Sequence, residues 1–275
     1  MMSVTWVLER EVFADGDERL GQAALDRGHE VISWNDRWAD EGGCPSLDDE
    51  YVMFHGSLSN ADRIATRTSW RPGAFCDTPA FACSAWCERA AAWLVQARWV
   101  ACTVAELVND PERHLESFGS PKSFFVRPDS PLKPFSGRVI ELADLSLEAL
   151  DYGFYYEDEN LPIIVTPVVD VGQEWRFVVC DRELLAASSY EASNRSETDS
   201  GCPGDVREFA ARIAANFTCP DPMYVLDVCR TGRGLKLLEI NSFSGADLYA
   251  CDRAAIVASI ERLHMSQAGG ADRSR

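Results

Sequence analysis

The stretch that decides the fold runs from residue 224 to residue 241. Residues 224–229 read Tyr-Val-Leu-Asp-Val-Cys and residues 235–241 read Leu-Lys-Leu-Leu-Glu-Ile-Asn. Two apolar, β-rich runs on either side of a polar segment containing glycine predict a β-hairpin. If a five-residue loop at 230–234 pairs Cys229 with Leu235, the odd-numbered positions share one face of the ribbon.

That face carries three oxygen-bearing side chains, whereas the even positions are apolar except for Lys236. The three are Asp227, Glu239 and Asn241. Two carboxylates and a carboxamide are hard oxygen ligands of the kind that Mg²⁺ prefers. The same spacing also suits a solvated outer sheet face, and the spacing alone leaves both interpretations open.

A second cluster has the opposite charge. Lys122, Arg127, Lys133 and Arg138 stand against one acid, Asp129, in a chain with 44 acidic and 26 basic residues. Arginine offers a bidentate fork and lysine a movable point charge, so the cluster could hold a polyphosphate. The alternative is a surface hairpin with incidental basic residues.

A third candidate lies on the predicted strand 174–180. Glu174 and Arg176 point to one face of that strand, and Trp175 points to the other. Arg176 could clamp a phosphate or a substrate carboxylate, or it could pair with Glu174 within the sheet. The sequence does not separate these two roles.

Composition excludes several classes of protein. The chain has 275 residues, is 46% hydrophobic and carries a formal charge of −18, which is typical of a globular protein and opposes non-specific binding to nucleic acid or anionic membrane. The N-terminus has no basic leader before an apolar segment, and no window resembles a membrane span. We therefore expect a soluble, cytoplasmic protein without nucleic-acid or membrane partners.

The ten cysteines are interpreted as reduced thiols, because the chain is long and shows no secretion signal. Cys83 and Cys87 would share a helix face, which admits a zinc site, but no second pair accompanies them. Packed thiols are the favoured interpretation.

The first third of the chain predicts a small open α/β sheet. Strands are expected at 3–9, 29–34 and 51–55, with helices at 17–27 and 60–68. Gly56-Ser57 after the third strand is either a plain turn into the helix or a cradle for a ligand.

The remainder predicts alternating hairpins and helices. Hairpins are expected at 123–142, around a long loop, and at 174–190, and an apolar connector at 161–171. Helical spacing occurs at 84–98, 106–118 (broken at Asp110-Pro111), 144–159, 206–217 and 256–263, with a loop at 191–205.

Taken in order, these pieces resemble the ATP-grasp superfamily, and most closely its clade of small bacterial and phage proteins with arginine in place of the usual strand lysine. The likeness is carried by Phe125-Val126-Arg127-Pro128 with Lys133, Glu174-Trp175-Arg176, Val225-Leu226-Asp227-Val228, and Leu238-Glu239-Ile240-Asn241-Ser242. The resemblance implies an α+β fold in which two lobes grip ATP, preceded by a small open α/β domain. The implied domains are 1–84, the N-terminal α/β domain; 85–165, the central lobe; 166–266, the C-terminal lobe with the metal site; and 267–275, a disordered tail.

The resemblance also implies roles for individual residues. Arg127 and Lys133 would bind the phosphates, and Arg176 would lie near the γ-phosphate and the acyl acceptor, which makes Arg176 and Lys133 the catalytic candidates. The connector residues Thr166, Val168 and Val169 would offer groups to adenine and Asp170 to the ribose. Asp227, Glu239 and Asn241 would hold one or two Mg²⁺ ions. The chain departs from the family pattern at the phosphate loop, where residues 129–137 contain a single glycine.

The activity implied is that of an ATP- and Mg²⁺-dependent ligase. It would join a carboxylate to an amine through an acyl phosphate, with a small molecule, amino acid or peptide as acceptor. Two alternatives stay open: a phosphotransferase that uses the same ATP site, and a nucleotide-binding module without turnover. A homodimer is also left open.

Overall fold

The structure, a computed structural model, describes residues 3–13, 15, 17–40, 44–47, 51–150, 158–191 and 197–271. Its strands, in chain order, are β1 (Thr5–Leu8), β2 (Glu30–Ser33), β3 (Tyr51–His55), β4 (Arg71–Gly73), β5 (Val100–Thr103), β6 (Ser123–Pro128), β7 (Arg138–Glu141), β8 (Pro162–Pro167), β9 (Glu174–Cys180), β10 (Glu183–Tyr190), β11 (Thr198–Ser200), β12 (Met223–Thr231) and β13 (Gly234–Ser242). They form three sheets, with the orders β2-β1-β3-β4, β5-β8-β6-β7 and β11-β10-β9-β12-β13.

The helices complete a mixed α+β architecture, as the sequence predicts. In chain order they are α1 (Glu18–Asp26), α2 (Arg37–Asp40), α3 (Leu58–Arg67), α4 (Thr78–Phe81), α5 (Cys83–Trp86), α6 (Val104–Asn109), α7 (Pro111–Leu115), α8 (Leu147–Leu150), α9 (Gly204–Asn216) and α10 (Arg253–Ala271). The expected break at Asp110-Pro111 is confirmed, because the Asp110 side chain caps α7 by accepting from the Arg113 N–H. Of the helix expected at 144–159, residues 147–150 are helical, and 151–157 lie outside the described residues.

The first sheet is the predicted open α/β sheet. β1 pairs in parallel with β2 and β3, and β3 pairs in parallel with β4. Every residue of β1 and β3 is buried, as expected for strands covered on both faces.

The turn at Gly56-Ser57 is filled by the chain's own carboxylate. Glu9 Oε2 accepts hydrogen bonds from the Ser57 N–H (2.8 Å) and hydroxyl (2.7 Å), and Glu9 Oε1 accepts from Asn60 Nδ2 (3.0 Å). A Cβ on Gly56 would lie 2.4 Å from the Glu9 Cβ. Glycine is therefore required by close packing, and the donors that could have cradled a ligand are bonded to Glu9.

The sheet β5-β8-β6-β7 contains the predicted hairpin with the long loop. β6 pairs antiparallel with β7, from Ser123 opposite Glu141 to Val126 opposite Arg138. Alternation along β6 and β8 sends Phe124, Val126, Ile163 and Val165 into one apolar core. The intervening residues of both strands lie on the other face.

The five-stranded sheet contains the predicted tight hairpin between β9 and β10. Its two turn residues, Asp181 and Arg182, have φ values of 47° and 69°, the left-handed pair that a two-residue type I′ turn requires. Val178 of β9 and Ala186 of β10 share a core with Ile256 and Ile260 of α10.

Three predicted elements differ from the observed ones. The helix expected at 84–98 is helical only in α5, because residues 93–95 bond to β13 instead: the Leu237 N–H donates to Trp93 O (2.7 Å) and the Val95 N–H donates to Leu237 O (2.9 Å). β11 lies in the segment expected to be a loop. α10 continues to Ala271, into the segment expected to be disordered, and residues 272–275 lie outside the described residues.

The hairpin of β12 and β13 is confirmed, but its turn is tighter than expected. The strands extend to Thr231 and from Gly234, which leaves two turn residues where the sequence suggested five. Thr231 then lies opposite Gly234, so near the turn odd positions of β12 share a face with even positions of β13. The pairing of Cys229 with Leu235 is therefore wrong, together with the face assignment derived from it.

The chain divides into two compact units. Unit 1 comprises Met1–Asp77, Gln173–Val228 and Glu239–Arg275, and unit 2 comprises Thr78–Gly172 and Cys229–Leu238. All ten cysteines have free thiols, and seven of them are buried. No helix in the described part of the chain is long and apolar enough to cross a membrane.

Candidate active site

One group of candidate residues lies on a single sheet face of unit 2. In the antiparallel pairing of β6 with β8, Arg127 is opposite Ile164 and Phe125 is opposite Thr166. Because side chains alternate, these four residues lie on the face turned away from the core of Phe124 and Val126. Arg127 is half-buried and Thr166 is buried, so the strand register brings two of the predicted nucleotide-binding residues together.

Lys133 occupies the loop between β6 and β7. Its side chain is exposed and its backbone adopts the left-handed region at φ 50°, with its N–H bonded to Ser130 O. Phe135 anchors the same loop in the core. A lysine on a loop held at both ends by such contacts has a movable side chain on a restrained backbone.

The connector after β8 borders a larger cavity in unit 2. The cavity has a volume of about 400 Å³ and includes the predicted residues Val168, Val169 and Asp170 in its wall. It also contains three basic side chains that the sequence analysis did not select, namely Arg98, Arg233 and Lys236. The only available signal was Lys236, the single charged residue among the even positions of its strand.

In unit 1, Arg176 of β9 forms a buried bidentate ion pair with Asp227 of the adjacent strand β12. Arg176 Nε donates to Asp227 Oδ1 (2.9 Å) and Nη2 donates to Asp227 Oδ2 (2.7 Å), while Nη1 donates to the carbonyl oxygen of Asp247 (2.6 Å). Asp227 is completely buried and Arg176 is 7% exposed. Burial acts to lower the pKa of Arg176, but the Asp227 carboxylate outweighs it, so that pKa is well above its usual value.

Two tyrosines enclose the same guanidinium. The Arg176 Cζ lies 4.7 Å from the ring centroid of Tyr249 and 5.7 Å from that of Tyr190, and the two rings stack at 4.8 Å. Tyr249 has φ 46°, a strained conformation of the kind that clusters at functional sites. Sequence reasoning missed both tyrosines, because neither belongs to a motif and long-range folding brings them to Arg176.

The other predicted metal ligands are on β13, which neighbours β12 in the sheet. Glu239 is half-buried, and Asn241 is 6% exposed with its Nδ2 atom lacking a hydrogen-bond partner. The nitrogen and oxygen of an amide exchange places when the side chain flips, so this position can present an oxygen to a cation. Within the described ranges, no cluster of three histidine, cysteine or acidic side chains is arranged to hold a metal.

The donor set nevertheless fits Mg²⁺. Each oxygen of Asp227 has two lone pairs and gives one to Arg176, which leaves lone pairs for a metal. Two carboxylates and an amide, completed by phosphate oxygens and water, are the ligands that Mg²⁺ takes in proteins.

The order of these elements and residues defines an ATP-grasp protein. The model of an ATP-grasp domain family, the second family of the clade named for arginine in place of lysine, matches residues 101–259. The match covers more than half of the chain, and the chain belongs to that family. The resemblance seen in the sequence is thereby confirmed.

Solved structures share the fold at low sequence identity. D-cycloserine synthetase DcsG aligns with a TM-score of 0.66 and 16% identity over 95% of this chain and 100% of that one. The ATP-grasp ligase PsnB, complexed with precursor peptide PsnA2 and AMPPNP, gives 0.59 and 13% over 95% and 97%. D-alanine–D-alanine ligase from Bacillus anthracis, complexed with ATP, gives 0.57 and 12% over 97% and 99%. No curated protein matches the sequence.

Proposed function

We propose that this protein is an ATP- and Mg²⁺-dependent ligase that joins a carboxylate to an amine through an acyl phosphate. The observation that carries the proposal is the buried pair of Arg176 and Asp227 on neighbouring strands. Apolar residues of similar volume would stabilise such a position equally well or better. A guanidinium held rigidly beside potential metal ligands is suited to a transferring phosphoryl group.

The fold neighbours support the choice of reaction. DcsG is a synthetase, PsnB is a ligase that was complexed with a peptide, and the Bacillus anthracis protein joins two D-alanine residues. These proteins share the fold of this chain, and the family membership adds an ATP-grasp domain at residues 101–259.

In the proposed first step, an oxygen of the substrate carboxylate attacks the γ-phosphorus of ATP, ADP leaves, and an acyl phosphate forms. Arg127 and Lys133 hold phosphate oxygens, and Thr166, Val168, Val169 and Asp170 hold the nucleoside. Three of the five N–H donors of Arg176 are bonded to Asp227 and Asp247, so donors are left for the transferred group. Asp227, Glu239 and Asn241 would hold Mg²⁺, which neutralises charge on the phosphates.

In the second step, the amine nitrogen attacks the acyl carbon, inorganic phosphate leaves and the nitrogen loses a proton. The loop after β10, expected to shape the acceptor site, borders a cavity of about 370 Å³. Its wall contains three acids, Glu191, Glu197 and Asp199. A cavity with this charge favours a cationic amine, and an amino acid or peptide carries one.

The test is release of ADP and phosphate with Mg²⁺ and pooled amino acids and peptides. An active pool is then repeated with the substrate carboxylate labelled with ¹⁸O. A ligase of the proposed type transfers one labelled oxygen to the released phosphate, because the acyl phosphate forms through that oxygen. Arg176→Lys should reduce turnover at least a hundredfold, since lysine cannot keep the bidentate geometry, whereas the surface variant Arg212→Lys should retain it.

Two outcomes would contradict the proposal. A phosphorylated product that accumulates without released phosphate would identify a phosphotransferase. Nucleotide binding without turnover in any pool, unchanged in Arg176→Lys, would identify a binding module.

A further inference from the structure

A small cavity in unit 2 lies beside Arg127. Its volume is about 20 Å³, and its wall includes Trp86, Phe125, Arg127, Ile164, Thr166 and Leu238. Four of these are the face residues of β6 and β8 described above. Trp86 comes from α5, and the sequence analysis assigned it no role.

Two polar atoms in this wall are buried without a hydrogen-bond partner. They are the indole Nε1 of Trp86, a residue that is 2% exposed, and the hydroxyl of Thr166, a residue that is 4% exposed. Buried polar groups in native proteins are almost always hydrogen-bonded. Two unpartnered groups in the wall of one cavity therefore point to a ligand that supplies the partners.

The position of Trp86 relative to Arg127 is set by Asp129, which follows β6. The Asp129 carboxylate accepts from the Ser84 N–H and from the Ser84 hydroxyl, both at 2.7 Å, and the Cys83 N–H donates to Asp129 O (3.0 Å). These bonds attach α5 to the end of the strand that carries Arg127. The acid that breaks the run of basic residues in this part of the chain thus has a structural role.

We propose that the Trp86 indole N–H donates a hydrogen bond to the base of the bound nucleotide, beside the Thr166 hydroxyl. Trp86 is then a binding residue of the ATP site, and this inference rests on the proposed function. An indole N–H only donates, whereas a hydroxyl donates or accepts. The pair matches a base edge on which a ring-nitrogen acceptor adjoins an exocyclic amino group, as in adenine.

The base enters by separating side chains at the rim of the cavity. As described, the cavity is about the size of one water molecule. Arg127, Phe125 and Leu238 are each half-buried, so their outer parts can move without exposing the core.

The test compares Trp86→Phe with the wild type, with Mg·ADP and inorganic tripolyphosphate as titrants in calorimetry. Trp86→Phe keeps the ring in place and removes the donor, so we expect Mg·ADP affinity to fall about tenfold. Tripolyphosphate has no base, so its affinity should not change. The matched control is Trp6→Phe, because Trp6 is also buried with an unpartnered Nε1 atom but lies in unit 1.

Unchanged Mg·ADP affinity in Trp86→Phe would overturn the inference, as would an equal loss for both titrants. If Trp86→Phe does not fold, Thr166→Val decides by the same two titrations. Failure of the wild type to bind Mg·ADP would overturn the proposed function together with this inference, so the two failures are distinguishable.

Discussion

Arg176 has its charge in a place from which water is excluded. Both carboxylate oxygens bonded to its guanidinium belong to Asp227, so the partner is 51 positions away in the chain and on the neighbouring strand. The sequence offered a phosphate clamp or a pair with Glu174 as alternatives. The observed pair with Asp227 is compatible with the first role and supplies a carboxylate partner from another strand.

The Arg176–Asp227 pair gives the first prediction. Asp227→Ala should reduce the free energy of unfolding by about 3–5 kcal/mol, because it leaves a buried guanidinium without its counter-charge. The double variant Arg176→Met/Asp227→Leu should unfold close to the wild-type midpoint in urea, since neither charge is left uncompensated.

A control for this pair is the more exposed one between Arg27 and Glu261, in which the Arg27 side chain is 38% exposed. Arg27→Met should cost only about 0–1 kcal/mol. A double variant as unstable as Asp227→Ala would contradict the account of an uncompensated charge.

Asp221 gives a prediction that depends on pH. Burial raises its pKa from 3.8 to about 6, partly offset by the hydrogen bond from the Asp77 N–H. Its folded-state pKa thus lies above the unfolded one, so the wild type loses stability as pH rises from about 4 to 6. Asp221→Asn should therefore be more stable at pH 7.5, by about 1 kcal/mol, and show no gain at pH 4.

The measurement is thermal unfolding at both pH values. The exposed Asp199 serves as the control, because Asp199→Asn removes a carboxylate that is already in water. Equal effects of the two variants at pH 7.5 would rule out burial as the cause.

At the scale of elements, the hairpins follow from local sequence and their turns decide what shares a face. The β9–β10 hairpin matches its prediction because two polar residues separate two β-rich runs. The β12–β13 hairpin has a turn of two residues, and that difference changes which side chains are neighbours. A parity argument is only as good as the loop length that it assumes, because the period of a strand is two.

The β9–β10 turn gives the next prediction. Arg182 has φ 69° without being glycine, a conformation that costs a side-chain-bearing residue about 1 kcal/mol. Arg182→Gly should therefore stabilise the protein by up to about 1 kcal/mol, less the exposed hydrogen bond from Arg182 to Thr218. The midpoint of urea unfolding measures this change.

The opposite change at the β12–β13 turn is the matched control. Gly234 has φ 94° and open space around it, so Gly234→Ala should destabilise the protein through backbone strain alone. A stability loss in Arg182→Gly would show that the turn is held by side-chain contacts rather than by its backbone conformation.

At the scale of the whole molecule, the charge of −18 leaves the argument against nucleic-acid and membrane partners in place. The basic residues relevant to a nucleotide are local: Arg127 on a sheet face, Lys133 in a loop, and Arg98, Arg233 and Lys236 around one cavity. The domain boundaries expected from the sequence stay a prediction. The compact units instead combine distant segments, and the hairpin β12–β13 contributes to both.

The sequence by itself determined the fold class, the family, most strands and the polar residues that form the candidate site. It could do so because strand periodicity, turn chemistry and the order of motifs are local properties. Only the tertiary structure decided that Asp227 pairs with Arg176, that two tyrosines enclose the guanidinium, that residues 93–95 join β13 rather than a helix, and that Trp86 lies beside Arg127 and Thr166. Each of these depends on segments far apart in the chain, whose contact is set by packing and by the satisfaction of buried polar groups, and neither is encoded in any local window.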